Sequence, residues 1–548
     1  MAASITSRNS NGFEAFSRRS KPSVVITLKN QEASALVNSY TTLDTIEGEV
    51  AITADHDTRF ESISITFEGT SRTVIDRPGV GAPTVGRASA FHTFLRLTQP
   101  VDEDQYPQPR IAEAGHTYRF PFTFVVPEHL LPHACNHPNN HGQVHAAHTL
   151  LPPSLGDAMV AGDGTTLLDD MTPQMAQIQY GIRAQLFKTS PIDGSLKTIV
   201  DQKHKLRIIP ATDEAPPLNI TDDSEEYVMR KEKDVKKGSL RGKLGRIVMA
   251  AQQPKGFRVP ANPPKDSDSD SPPATMTTVH LRFDPINESQ QPPRLGMLLS
   301  KLKVQTFYAT DPWADLASKT NSLAWTVNRG VYPETVSLAS RCVASATWHK
   351  HTSTTPASSP STSRRSSIQS TSSIDSLTGP SAAYTGTTYY TTTILVPISL
   401  PTKNRTYLPT FHHCLIARTY ALDLSLSYHT PSANLTAPTI SIRIPIHISS
   451  TESLAEASAA RGRASIRQSG ADEFFTPRSI APPRTEFLGG STSVMRGLET
   501  PGVGVGRGRS DTLSSTLSGA SAAPPEYSNV PALFGRRLSN RAVVRTAC

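Results

Sequence analysis

Alternation of apolar and polar residues is the feature that most constrains this chain. In YRFPFTFVVP (118–127) aromatic residues occupy alternate positions, and in TISIRIPIHIS (439–449) isoleucines do so. Side chains two residues apart project from the same face of a strand, so the pattern predicts half-buried antiparallel strands. No segment carries a helical period of comparable strength. The sequence therefore predicts an all-β protein.

Two groups of such segments predict two domains. The first group spans 23–211, with Pro210 closing its last strand, and the second spans 241–449. A polar, charged linker is predicted between them, at 212–240. Several short strands separated by turn residues are typical of β-sandwiches, so we expect two immunoglobulin-like antiparallel sandwiches.

Polar, low-complexity segments make up the rest of the chain. Hydrophobic residues account for 37% of it, below the roughly 45–50% that is usual for globular proteins. Residues 1–22 are polar, 18 of the 33 residues at 351–383 are Ser or Thr, and 450–548 is rich in Ser, Ala, Gly, Arg and Pro. These segments are predicted to be a disordered N-terminus, a disordered insertion in the second sandwich and a disordered tail.

Cysteine content and charge narrow the functional class. Four cysteines in 548 residues do not form a disulfide framework, which favours a reducing compartment. Residues 1–22 are polar and no run of about 20 consecutive apolar residues occurs, so we expect neither a signal peptide nor a membrane-spanning segment. The net charge of +8 is scattered, which argues against nucleic acid as a partner. We expect a cytoplasmic protein.

The tail contains one short motif with a clear physical reading, Pro524–Pro525–Glu526–Tyr527. Two prolines favour a polyproline II segment that docks on an aromatic groove with little loss of entropy. Tyr527 would then fill a second pocket. Pro524, Pro525 and Tyr527 are thus predicted to bind a WW domain, and the alternative is a rigid proline-rich spacer.

Several phrases resemble the arrestins. IEGEVAIT (46–53) and HTYRFPFTFVVPEHLLP (116–132) resemble the arrestin N-terminal domain, and LPTFHHCLIARTYALDLSLSYHT (408–430) resembles its C-terminal domain. The histidine-rich segment, the phrase LPPSLGD (151–157) and the long tail resemble the fungal α-arrestins more than the visual arrestins. The resemblance covers roughly 23–449 and is weakest at 215–275.

The resemblance implies an adaptor rather than an enzyme. Such an adaptor would bring a WW-domain HECT-type ubiquitin ligase to membrane transporters or receptors and so promote their ubiquitylation, endocytosis and sorting. It would be cytoplasmic and transiently present at the plasma membrane or endosomes, where peripheral membrane association could contribute. The alternative is a ligase-independent scaffold that links cargo to coat or sorting machinery.

The distribution of lysine bears on the ligase hypothesis. No lysine follows Lys403, so a ligase bound to the tail could not modify the tail on lysine. The candidate ubiquitin acceptors are therefore the lysines near the predicted linker, for which the alternative reading is a solvated charged segment. They are Lys231, Lys233, Lys236, Lys237 and Lys243.

Arginines precede serines in the segments predicted to be disordered. Ser367, Ser465 and Ser539 follow such arginines and are candidate phosphorylation sites. A phosphate would add about −1.5 to −2 charges. Because Ser539 lies close to Tyr527 in sequence, a phosphoserine-binding regulator there could mask the WW ligand.

The segment 129–148 is rich in histidine and contains Cys135, a composition that zinc sites share. A ligand series at every fourth position would need a helix, however, and Pro132 and Pro138 would break it. We therefore predict an inter-strand loop with no metal and no cofactor. Catalytic motifs are also lacking, and a small metalloenzyme is kept only as a third reading.

Overall fold

A computed structural model describes most of the chain up to Ser450 and all of its described residues fall in one compact unit. The described residues are 21–29, 36–77, 86–162, 164–220, 224–237, 242–261, 272–323, 328–353, 377–382, 384–430 and 437–450. The WW-ligand motif and the three candidate phosphorylation sites, Ser367, Ser465 and Ser539, lie outside these ranges, as do most of the residues predicted to be disordered.

The first half folds into a β-sandwich. Its strands are β1 (Ser23–Leu28), β2 (Ser39–Tyr40), β3 (Thr45–Thr53), β4 (Thr58–Arg59), β5 (Ser62–Arg77), β6 (Gly86–Gln99), β7 (Ile111–Ala112), β8 (Thr117–Val125), β9 (Ala176–Thr189) and β10 (Leu196–Ile208). One sheet has the order β1-β3-β8 and the other β2-β10-β9-β5-β6, while β4 and β7 pair separately.

Alternating side chains hold these two sheets together. Phe120, Phe122 and Phe124 of β8 all point into the core. Phe124 lies 6.0 Å from Phe67 of β5, measured between ring centroids, so the sheets meet through aromatic contacts. Gly48 of β3 faces Phe122, and a Cβ atom there would come within 2.6 Å of its ring. The strand predicted within 118–127 is confirmed, with observed bounds Thr117–Val125.

The second half forms another sandwich. Its strands are β11 (Arg230–Lys236), β12 (Lys243–Ala251), β13 (Phe257–Val259), β14 (Ala274–Pro285), β15 (Arg294–Ala309), β16 (Arg329–Cys342), β17 (His349–Thr352), β18 (Thr388–Ser399), β19 (Phe411–His412), β20 (Ile416–His429), β21 (Thr439–Ile446) and β22 (Ile448–Ser450). The sheet β11-β12-β14-β18-β17 faces β16-β15-β20-β19, with β21 paired to β20.

The isoleucine ladder closes this core, as its period predicts. All five of its isoleucines, Ile440, Ile442, Ile444, Ile446 and Ile448, are buried. Among the described residues, the strands named above pair antiparallel except for two short parallel pairs, β2 with β10 and β13 with β22. Helix is limited among the described residues to short pieces: α1 (Gly142–His148), α2 (Lys319–Leu323) and 3₁₀ turns at Glu103–Gln105 and Pro132–Cys135. The all-β sandwich prediction is confirmed.

Two predicted boundaries differ from the structure. Within the predicted linker, Arg230–Lys236 form β11, which pairs with β12 as an edge of the second sandwich. Val235 is the one apolar residue of this strand and the one that is buried, so the sequence lacks the apolar alternation of an ordinary strand. The predicted insertion also begins inside β17, and near its end Pro380 accepts a hydrogen bond of 2.9 Å from Arg230.

Candidate functional site

The histidine-rich segment lies in the long connection between β8 and β9. The Leu130 N–H donates to the Thr149 carbonyl at 2.8 Å, which closes the segment into a loop. Leu130, Ala134 and Val144 are buried, so apolar side chains anchor it. Pro132 starts the 3₁₀ turn that ends at Cys135, and α1 ends at His148.

This loop contacts the second sandwich. The Asn140 N–H donates to the Ala314 carbonyl at 2.9 Å, and the Asn140 amide donates to the Asp315 carboxylate at 2.7 Å. Cys414, in the turn between β19 and β20, lies with its Sγ 3.8 Å from the Ala134 carbonyl. The Cys414 carbonyl accepts the Trp313 N–H at 2.9 Å, which fixes that turn.

Four side chains from the two sandwiches converge here, and we call them the Cys/His cluster: Cys135, His137, His148 and Cys414. Each offers one ligand atom, and these atoms all lie within 4.8 Å of one another. Cys135 Sγ is 3.2 Å from His137 Nε2 and 3.7 Å from His148 Nδ1. Three members are buried, and His137 is half-buried.

The thiols and imidazoles perturb one another. A hydrogen bond with the Cys414 thiol lowers the pKa of Cys135, and further hydrogen bonds, led by that with His137, add to this lowering against the effect of burial. The same thiol pair raises the pKa of Cys414. Burial alone would lower the pKa of His137, but its hydrogen bond to Cys135 and the charge of that sulfur raise it overall.

Two further histidines border the cluster. His92, His413 and Cys414 form a second group of possible ligands that shares its only sulfur with the cluster. The rings of His92 and His413 stack with their centroids 5.7 Å apart. Burial lowers the pKa of His92 to about 4 and that of His413 well below its ordinary value. Both imidazoles are therefore neutral near pH 7.

A second buried polar contact joins the sandwiches, and we call it the Arg418 contact. Arg418 of β20 is fully buried and donates to the Asp170 carbonyl at 2.9 Å and to Thr172 Oγ1 at 2.6 Å. The Asp170 carboxylate in turn accepts the Gly156 N–H at 2.6 Å. The guanidinium thus finds acceptors on the loop that precedes β9.

The candidate ubiquitin acceptors lie on and beside β11 rather than in a linker. All five lysines are exposed. Lys233 Nζ donates to the Thr439 carbonyl at 2.7 Å, and Lys243 pairs with Asp234 at 2.7 Å. Lys231, Lys236 and Lys237 occupy exposed positions of β11 and of the turn that follows it.

The structure shows which histidines of the segment 129–148 belong to the cluster, a distinction that the sequence does not give. His137 and His148 join the Cys/His cluster, whereas His129, His133 and His141 are exposed and His145 is half-buried. The cluster needs no continuous helix, which was the argument against a metal here. Its distant member, Cys414, was missed because no spacing connects it to Cys135. The sequence signals nearest to it are the triplets Cys135–Asn136–His137 and His412–His413–Cys414.

No protein-family model matches the chain, and no curated protein matches it either. Among the described residues, no helix is long and apolar enough to cross a membrane.

Proposed function

We propose that this protein is an α-arrestin-like adaptor without catalytic activity, which brings a WW-domain HECT-type ubiquitin ligase to membrane cargo proteins. Its two sandwiches would hold the cargo, and its tail would hold the ligase. Tethering raises the effective concentration of the ligase at the cargo, so transfer of ubiquitin is promoted without new chemistry in the adaptor. Endocytosis and sorting of the cargo would follow.

The single observation that carries the proposal is the Pro524–Pro525–Glu526–Tyr527 motif, placed in sequence after the last strand of a two-sandwich body. The prolines preorganise the peptide and Tyr527 supplies the ring for an aromatic-lined groove. A single short motif buries little area, so a second contact or a multivalent ligase would be needed for tight recruitment.

Self-modification provides an independent part of the proposal. A recruited ligase would find no lysine after Lys403 and would have to modify the body. We expect Lys231, Lys236 and Lys237 to be preferred, because Lys233 and Lys243 hold hydrogen-bonding or ionic partners. Among the five candidates, the structure therefore supports an order of reactivity.

The test is binding of the full-length protein to the WW domains of a HECT-type ligase by calorimetry. We expect Tyr527→Ala to weaken binding about tenfold or more, because burying an aromatic side chain contributes roughly 1.5–3 kcal/mol. Equal binding by the variant, or none by the wild type, would contradict recruitment through this motif and favour the ligase-independent scaffold.

Reconstituted ubiquitylation, followed by mapping of the acceptors by mass spectrometry, tests the second part. The triple variant Lys231→Arg, Lys236→Arg and Lys237→Arg should lose most of the modification. The matched control, Lys233→Arg with Lys243→Arg, should retain it.

Phosphorylation at Ser539 is expected to reduce ligase recruitment when a phosphoserine-binding regulator is present.

A further inference from the structure

We propose that Cys135, His137, His148 and Cys414 bind one Zn²⁺ in a closed tetrahedral site that ties the two sandwiches together. The inference is independent of the tail and of the ligase. It rests on the identity, placement and burial of these four side chains.

Ligand chemistry selects zinc among the common metals. Two thiolates and two imidazoles are the ligand set of many structural zinc sites, whereas magnesium and calcium require oxygen ligands. With Zn–S near 2.3 Å and Zn–N near 2.0–2.1 Å, tetrahedral ligands lie about 3.3–3.8 Å apart. The distances from Cys135 Sγ to His137 Nε2, 3.2 Å, and to His148 Nδ1, 3.7 Å, are already close to this range.

The surroundings make the site structural rather than catalytic. Cys135, His148 and Cys414 are each no more than 4% exposed. With four protein ligands, no coordination position remains for water or substrate. The Asn139 amide donates to Cys135 Sγ at 3.5 Å, the type of outer contact that orients a thiolate ligand.

The position of the ligands gives the ion a mechanical role. Three ligands come from one loop of the first sandwich, and Cys414 comes from the β19–β20 turn of the second. An ion bound by all four would link the loop around Cys135 to Cys414 and so close a very long loop of chain. This link would restrict the motion of the two halves relative to each other, in the unfolded chain as well as in the folded protein. Zinc would therefore stabilise the junction rather than either sandwich core.

Two alternatives that involve Cys414 can be distinguished from this zinc site. A Cys135–Cys414 disulfide would use the sulfurs and leave both histidines without a role. The neighbouring group of His92, His413 and Cys414 offers three ligands, of which one is a sulfur, and is a poorer match for a closed zinc site with four ligands.

The first measurement is zinc content of the full-length protein, purified with a reductant and exchanged into metal-free buffer, by mass spectrometry of the element. We expect about one zinc per chain for the wild type and for Cys342→Ser, which alters an exposed cysteine outside the cluster. Cys414→Ser should lose the zinc. Absence of zinc from the wild type after incubation with zinc salt, or full retention by Cys414→Ser, would overturn the proposal.

A milder variant protects the test against misfolding. His137 is the most exposed ligand, so His137→Asn should fold and bind zinc at least about tenfold more weakly, the loss that even outer partners of ligands cause. Titration with Co²⁺ reports directly, because two thiolates in a tetrahedral field give strong visible absorption. His145→Asn, in the same loop, should match the wild type.

Three results would reject this ligand set. One is an intact Cys135–Cys414 disulfide in the reduced preparation, seen by peptide mapping. Another is loss of metal in His413→Gln combined with unchanged affinity in His137→Asn, which would assign the metal to the neighbouring group. The third is a Co²⁺ spectrum without thiolate-to-metal absorption.

Discussion

The Arg418 contact and the Cys/His cluster both attach the β19–β20 hairpin to loops of the first sandwich, but they do so with opposite chemistry. Arg418 makes hydrogen bonds of 2.6 and 2.9 Å to oxygen acceptors, which the protein supplies itself. In the cluster the sulfur contacts span 3.2–3.8 Å, and thiols are weak donors and acceptors. The first attachment uses oxygen acceptors that belong to the chain, although Arg418 Nε has no hydrogen-bond partner among the described residues. The second would gain strength from the proposed ion.

This difference shows how two parts of one interface can respond to different conditions. Burying a guanidinium carries a large desolvation cost that only well-formed hydrogen bonds offset, so the Arg418 contact depends on geometry. A thiolate–imidazole site depends instead on metal supply and on deprotonated ligands. The following predictions test the Arg418 contact, a neighbouring contact between the sandwiches and a buried histidine outside both attachments, from the largest expected effect to the smallest.

Replacing Arg418 by Met should cause the largest loss. Met retains much of the apolar stem but removes the guanidinium donor from the Asp170 carbonyl and the Thr172 hydroxyl. We expect the free energy of unfolding, measured with urea, to fall by about 2–4 kcal/mol.

The matched control is Arg443→Met, because Arg443 pairs with Asp423 at 2.6 Å while its side chain remains a quarter exposed. It should cost about 0.5–1 kcal/mol. Equal losses in the two variants would show that burial does not distinguish the Arg418 contact.

An intermediate effect is expected at Thr73, which joins the sandwiches beside the cluster. Its buried hydroxyl donates to the Ala309 carbonyl at 2.7 Å, and the Ala309 N–H donates to the Leu415 carbonyl, next to Cys414. Thr73→Val keeps the shape but leaves this carbonyl without its hydroxyl donor, so the free energy of unfolding should fall by about 1–2 kcal/mol. Thr73→Ser, which keeps the donor, should lose less; the reverse order would show that packing decides this position.

The smallest effect concerns His447, which belongs to neither attachment. Burial lowers its pKa, with partial opposition from the nearby Glu214 charge. The unfolded histidine, with a pKa near 6.5, therefore binds protons more readily than the folded one, and stability falls as the pH drops below about 6.5.

His447→Gln should remove that part of the acid sensitivity. After allowance for its partial exposure, we expect the loss of unfolding free energy between pH 7 and pH 5 to be smaller than in the wild type by less than about 1 kcal/mol. Urea unfolding at pH 8, where His447 is neutral in both the folded and the unfolded protein, provides the reference. An unchanged loss on acidification would show that this histidine does not titrate differently on folding.

The sequence predicts best the strands that have one face against an apolar core. β8 alternates along most of its length, and β21 alternates up to Ile444, because one face of each strand packs on a sandwich core. β11 escaped prediction because cross-strand ion pairs take the place of apolar contacts: Arg246 of β12 lies 3.0 Å from Asp234 and 3.3 Å from Glu232. A strand stabilised in this way has the composition of a linker.

The candidate site follows the same division. From the sequence alone came the all-β class, two sandwiches, a histidine-rich loop and the Pro524–Tyr527 motif, because period and composition are local properties. The meeting of Cys135 with Cys414 and of Asp170 with Arg418 was decided by the tertiary structure. Each pair joins residues hundreds of positions apart, and only the packing of one sandwich against the other sets the distance between them.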